Sequence, residues 1–158
     1  GAQALAAGET YPFGLIAAEG RWLLDPTPCW RRLLEDLAHV PSALSRESGG
    51  QVLRDQDRWA TGQVIQQQAL GAIAARFHLG LARAAAALAV RLAEDRGLNT
   101  VALSGGVMQN LTLARELPQA LAGRGLVPLV HTQVPPNDGC ISLGQAVYGQ
   151  RLLELGKI

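Results

Sequence analysis

Thr100-Val-Ala-Leu-Ser-Gly-Gly-Val-Met-Gln-Asn110 is the stretch on which the fold turns. Thr100–Leu103 is a short apolar run that reads as a buried strand. Ser104-Gly105-Gly106 then breaks it. A helix follows, with Leu113, Leu117 and Leu121 on one face. Pro118 lies inside that helix and is expected to kink or divide it, because proline lacks the N–H that the ladder needs. Gly125 ends it, and Leu126 to His131 reads as a second strand. Thr132 to Gly139 is a loop containing Pro135-Pro136-Asn137-Asp138. A last helix runs from about Cys140 to Leu155, with Ile141, Leu143, Val147 and Leu152 as core candidates. Strand, helix, strand at this spacing is a βαβ unit with a right-handed crossover. If the two strands are parallel, the loops after them emerge at one rim, where ligands of open α/β sheets collect.

Working toward the N-terminus, Gln63 to Arg96 carries the strongest helical signal. Leu70, Ile73, Phe77, Leu81, Leu88 and Leu92 form a stripe, and alanines fill its flanks. Gly71 and Gly80 make a kink in this helix an option. Residues 42–62 are the most polar stretch and read as a mobile or partly helical insertion. Before them, Thr27 is a candidate cap, Pro28 suits the first helical turn, and Trp30, Leu33, Leu34 and Leu37 keep helical spacing. That helix should stop before Pro41. Two short apolar runs, Phe13–Ala18 and Arg21–Asp25, flank Glu19-Gly20 and read as a hairpin. The hairpin is expected to extend the sheet that holds the strands near 100–104 and 126–131.

Composition bounds the function. In 158 residues, 48% are hydrophobic and 17% charged, so a real core can form. Fourteen Lys+Arg against thirteen Asp+Glu leave +1, which offers no basic field for nucleic acid. Aromatics at 4% are too few for a stacking platform. Cys29 and Cys140 lie far apart, which excludes a thiolate zinc site and suits a reducing, cytoplasmic setting. No run of eighteen or more apolar residues exists, so no membrane partner is expected. Gly1 to Ala7 lacks the basic and apolar regions of a signal peptide.

The candidate chemistry sits at the rim. In Ser104-Gly105-Gly106-Val-Met-Gln-Asn110 the glycines would let backbone N–H groups approach an anion, and Asn110 would bond a phosphate or a ribose hydroxyl. The stretch lacks the GK[ST] of a P-loop and the third glycine of the dinucleotide fingerprint. A tight strand-to-helix turn without a ligand explains the same residues. Asp138 stands on a proline-stiffened loop, either as a metal-binding carboxylate or as the cap of the last helix. His39, His78 and His131 form no paired metal motif. His78 reads as a structural histidine. His131 ends a strand at the rim and is a candidate to support the site indirectly. Cys140 has no visible base and reads as a small buried residue.

Two motifs together carry a family resemblance: Ser104-Gly-Gly-Val-Met-Gln-Asn110 and Val134-Pro-Pro-Asn-Asp-Gly-Cys-Ile-Ser-Leu-Gly-Gln145. Tyr11-Pro12-Phe13 and Ala74-Ala-Arg-Phe-His78 fit in the same order. The chain resembles the C-terminal part of the HypF carbamoyltransferases of [NiFe]-hydrogenase maturation. Their wider relatives include the carbamoyltransferase of tRNA threonylcarbamoyladenosine synthesis, within the actin, sugar kinase and heat-shock ATPase fold. The resemblance implies an α/β lobe of that ribonuclease-H-like fold, a mixed sheet with packed helices, with residues 1–158 as a single lobe. It implies that ATP and carbamoyl phosphate give a carbamoyl adenylate, and that the carbamoyl group passes to the C-terminal cysteine of HypE. It places Ser104, Gly105, Gly106 and Asn110 at the nucleotide and Asp138 at a divalent metal (Mg, Fe or Zn).

The family's paired metal-binding histidines and its acylphosphatase, zinc-finger-like and adenylate-forming modules have no counterpart in these residues, and the 42–62 stretch is longer than the usual link. The chain is therefore expected to be inactive alone and to supply only part of the metal site. Two other readings stay open at this point: a non-catalytic docking module, and a lobe of a sugar-kinase-like phosphotransferase.

Overall fold

The structure, a computed structural model, describes residues 10–40 and 55–157, with side chains in the second stretch from residue 62. The chain forms two compact units, Gly1–Ala84 and Ala85–Ile158.

In the first unit, β1 (Gly14–Ala18) pairs antiparallel with β2 (Arg21–Asp25). Glu19 (φ 51°) and Gly20 (φ 70°) make the two-residue turn, both in the left-handed region that matches the twist of a hairpin. Helix α1 (Thr27–Ala38) starts differently from expectation. Thr27 is not its cap; the Asp25 carboxylate accepts from the Thr27 side chain and, at Oδ1, from the Thr27 N–H at 2.9 Å, and these two bonds hold it below its usual range. The helix ends at Ala38, ahead of Pro41 as the proline requires. Helix α2 (Asp55–Arg96) begins earlier than the apolar stripe suggested, so residues 55–62 of the polar stretch are helical. Residues 42–54 lie outside the described residues.

Tyr11, Cys29 and Ile73 are the buried centre of this unit, with Phe13, Leu33, Val40 and Phe77 packed on them. Leu70 is exposed, so the stripe on α2 buries only in part. Phe77 meets both Phe13 and Trp30 at ring-centroid distances near 6 Å (6.3 and 6.1). One polar cluster is buried alongside. Asp36 Oδ2 accepts from the Tyr11 hydroxyl at 2.7 Å and from Arg76 Nη1 at 2.8 Å. The Arg76 guanidinium lies 6.0 Å from the Tyr11 ring centroid. Burial and the neighbouring Asp36 carboxylate push the Tyr11 hydroxyl up to about 12. Gly80 does not serve as a kink: a Cβ there would stand 2.5 Å from the Tyr11 carbonyl oxygen, so glycine lets the N-terminal strand segment lie against α2. By length and composition Gly62–Arg96 is apolar enough to cross a membrane. Its buried residues are Ile73, Arg76, Gly80, Ala82, Ala86 and Ala93, so the helix packs one face on protein.

In the second unit, β3 (Thr100–Leu103) and β4 (Val127–Val130) pair in parallel, Thr100 opposite Val127 and Leu103 opposite Val130. Helix α3 (Leu111–Ala122) makes the crossover. Pro118 does not divide it. Leu113 and Leu121 are buried on either side of the proline, and this packing outweighs one missing backbone bond. Ala86, Ala93, Leu121 and Leu126 form the core, with Val101, Leu103 and Leu117 against them. The alanines of α2 thus bury where the larger Leu92 stays exposed, because close approach needs small side chains. Two expectations fail here. The hairpin does not join β3 and β4; each pair is a separate two-stranded sheet. Helix α4 (Ile141–Glu154) has no fully buried residue: of its core candidates Ile141, Leu143 and Val147 are exposed and only Leu152 is half-buried.

Candidate functional site

The parallel register puts the ends of β3 and β4 side by side, so Ser104 and His131 are the next pair after Leu103 and Val130. The glycine turn and the proline loop leave from this one rim, as the βαβ reading required. They are also bonded to each other. The Pro136 carbonyl accepts from the Gly105 N–H at 2.6 Å and from the Ser104 hydroxyl at 3.3 Å. His131 Nε2 lies 3.2 Å from Ser104 Oγ. The Ser104 proton is already given to Pro136, so Oγ accepts and Nε2 carries the proton.

Gly105 has φ +100°, a conformation that L side chains rarely adopt, and this lets the chain turn out of β3 with its N–H aimed at Pro136. Gly106 begins a single turn of 3-10 helix, Gly106–Gln109. It differs from its neighbour: its φ is unexceptional and a Cβ would meet nothing within 4 Å. Among the described residues the N–H groups of Gly106 and Val107 have no acceptor. Asn110 caps α3, its Oδ1 accepting from Thr112 and Leu113 N–H, both at 3.1 Å. That oxygen is spent on the helix start rather than on a ligand hydroxyl.

On the opposite loop, neither residue caps the last helix: Asp138 is not its cap, the N-cap position is Cys140 with no side-chain bond, and Asn137 caps the short 3-10 turn Asp138–Cys140 that precedes it. Asn137 Oδ1 accepts the Gly139 N–H at 3.1 Å. Asp138 is exposed, and its carboxylate has no partner among the described residues. No group of three His, Cys, Asp or Glu able to hold a metal occurs among the described residues. The described residues therefore do not make a metal centre; Asp138 offers one oxygen ligand, where such sites need several. Cys140 is half-buried, and its Sγ–H donates to the Asn137 carbonyl at 3.3 Å. Cys29 is fully buried, and burial pushes its thiol up, so neither cysteine reads as a nucleophile. His78 Nδ1 donates to the Ala74 carbonyl at 2.7 Å, a structural tie within α2.

The element that sequence reasoning undervalued is the His131–Ser104–Pro136 chain. Its signal was present: a hydroxyl residue ending one strand and a histidine ending the next, both one step past the parallel register.

A parallel β-pair whose glycine turn and acidic loop meet at one rim is the arrangement of an α/β fold. The chain matches the family described as "Carbamoyltransferase, Kae1-like Domain, second subdomain" over residues 51–145, and it belongs to that family. It is 47% identical over 72 residues to the carbamoyltransferase HypF2 of Cupriavidus necator, covering 46% of this chain and 9% of that protein. It is 44% identical over 77 residues to the carbamoyltransferase HypF of Rhizobium leguminosarum bv. viciae, covering 49% and 10%. The crystal structure of full-length HypF in its phosphate- and nucleotide-bound form superposes on 95% of the chain at TM-score 0.63 and 29% identity, using 16% of that protein. HypF from T. kodakarensis, at 24% identity and TM-score 0.52, shares the fold. The chain thus spans about a tenth of the length of the curated relatives named here.

Proposed function

We propose that this lobe supplies part of the nucleotide site of a carbamoyltransferase of hydrogenase maturation. The observation that carries the reading is Gly106, a glycine that nothing within the described protein requires, beside two N–H groups without acceptors. Such groups at the start of a helical turn suit phosphate oxygens of ATP or a carbamoyl adenylate. Family membership and the likeness to the nucleotide-bound HypF structure support the same ligand class.

In this proposal the reaction consumes ATP and carbamoyl phosphate. The carbamoyl carbon of the adenylate is attacked by the C-terminal cysteine sulfur of HypE, and AMP leaves. The residues of this chain bind and orient. Gly106 and Val107 present donors to phosphate, Asn110 fixes the start of α3 behind them, and Asp138 contributes one carboxylate toward a cation bound with ligands from elsewhere. None of them is a nucleophile or a general base. The two free cysteines fit a cytoplasmic setting.

The test is calorimetric titration of ATP into the intact protein and its Gly106→Val and Gly105→Ala variants. A Cβ at residue 106 meets no protein atom within 4 Å, so Gly106→Val should fold normally and lose nucleotide binding. Gly105→Ala is strained by its positive φ and should lose stability whether or not a ligand is present. Normal ATP affinity in Gly106→Val would overturn the reading.

A further inference from the structure

The His131–Ser104–Pro136 chain is not a ligand contact in itself, yet it joins the two loops that the nucleotide reading uses. We infer that His131 is a positioning residue: its Nε2–H, acting through Ser104 Oγ, holds the Pro136 carbonyl against the Gly105 N–H and so fixes where Gly106 and Asp138 stand. The inference rests on the nucleotide reading for its consequence, but not for its geometry.

The geometry is over-determined in one respect. Pro136 O is an acceptor only, and two donors, Gly105 N–H at 2.6 Å and Ser104 Oγ–H at 3.3 Å, converge on it. The Ser104 hydroxyl has a single proton, so a hydroxyl that donates to Pro136 must accept from its other neighbour, His131 Nε2 at 3.2 Å. This assigns the Nε2-protonated tautomer to a neutral His131. Protonation of the ring keeps that proton in place, so the contact survives in both charge states. Without His131 the Ser104 hydroxyl is free to rotate to water, and the Pro136 loop keeps only the Gly105 bond. Ser104, His131 and Gly106 are exposed, and Gly105 and Pro136 are only half-buried, so no residue of this contact is held by full burial. Three polar contacts tie the loops here, meeting at one carbonyl and one hydroxyl.

The choice of replacement separates this role from simple packing. A glutamine amide nitrogen is as many bonds from Cα as imidazole Nε2, whereas an asparagine amide nitrogen is placed like Nδ1. His131→Gln should therefore preserve the donor, and His131→Asn and His131→Ala should lose it.

The experiment uses the intact protein and three measurements. Nitrogen NMR of the imidazoles should show His131 protonated at Nε2. Amide hydrogen exchange at Gly105 should accelerate about threefold or more in His131→Ala and His131→Asn, and stay within about twofold of wild type in His131→Gln. ATP affinity by calorimetry should fall about 3- to 10-fold in the first two variants and recover in the third. An Nδ1-protonated His131, or wild-type exchange and affinity in His131→Ala, would overturn the inference while leaving the nucleotide reading intact. Faster Gly105 exchange with unchanged ATP affinity would also overturn it, reducing the contact to local packing. If the wild-type protein binds no ATP but the exchange pattern appears as expected, the nucleotide reading fails and the loop contact stands on its own.

Discussion

Replacing Gly80 by alanine sets two effects of opposite sign against each other. Alanine in a helix interior is favoured over glycine by about 1 kcal/mol, because glycine loses more backbone freedom on folding. At Gly80 the added Cβ would stand 2.5 Å from the Tyr11 carbonyl oxygen, 3.2 Å from the Tyr11 nitrogen and 3.3 Å from Phe13 Cε2. The first neighbour is backbone, and it has little room to move. Tyr11 is tied through its N–H to the Arg76 carbonyl at 3.4 Å and through its hydroxyl to Asp36 at 2.7 Å. Relieving the clash means moving the Tyr11 backbone by several tenths of an ångström and stretching both ties. Overpacking of this kind costs about 1–3 kcal/mol, with a backbone clash at the upper end. The clash should win, leaving Gly80→Ala about 1–2 kcal/mol less stable than wild type. Gly71 lies on the same helix with nothing within 4 Å of its would-be Cβ, so Gly71→Ala should gain about 0.5–1 kcal/mol. Urea unfolding of the intact protein, followed by circular dichroism, reads both. A Gly80→Ala variant as stable as Gly71→Ala would refute the close approach of the N-terminal segment to α2.

Asp36→Asn keeps the shape of the Tyr11–Asp36–Arg76 cluster but strips the charge from a pair in which Arg76 is 5% exposed. It should cost about 3 kcal/mol or more in the same unfolding assay. The raised Tyr11 gives a pH signature: its contribution to stability is fully present below about pH 10 and is lost as pH rises through about 12. A pH series of unfolding curves should therefore fall in that window for wild type and less for Tyr11→Phe. Asn110→Ala removes the acceptor for two N–H groups at the start of α3 and should cost about 1 kcal/mol of stability, while Asn110→Ser or Asn110→Asp keeps most of it. Asp138→Asn removes a charge that pairs with no described residue and should leave the unfolding curve unchanged while lowering the metal content of the intact protein by elemental analysis.

The shared rim was legible because strand, helix and strand at this spacing admit one common arrangement, and the parallel register follows from it. The start of α1 was not, since Asp25 and Thr27 are both good acceptors and only the backbone path selects between them. Asn137 and Asp138 posed a related problem, because the cap lies on a 3-10 turn ahead of the last helix rather than on the helix itself. The buried faces of α2 were misread in the same physical way: hydrophobicity points to leucines, but contact distance selects Ala86 and Ala93. Leu70 and Leu92 remain exposed among the described residues. The exposed apolar side of α4 shows the limit of periodicity, which reports that a face is apolar and not what covers it.

Within the rim, adjacent residues divide into those the protein uses itself and those it does not. Ser104, Gly105, Asn110 Oδ1 and Asn137 are committed inward: to the Pro136 carbonyl, to the start of α3 and to the Gly139 N–H. Gly106, the Val107 N–H and the Asp138 carboxylate are not committed to any described residue. A turn built only to connect β3 to α3 would require Gly105 for its positive φ but would accept a side chain at 106. A loop built only to make the 3-10 turn ahead of α4 would require Asn137 but would accept alanine at 138. Among the groups not committed to a described residue are two donors on one loop and one carboxylate on the loop bonded to it. That pairing matches the complementary charges of a phosphate and its cation, and it is why Gly106 and Asp138, rather than the more conspicuous Ser104 and Asn110, are the positions where function and stability should separate.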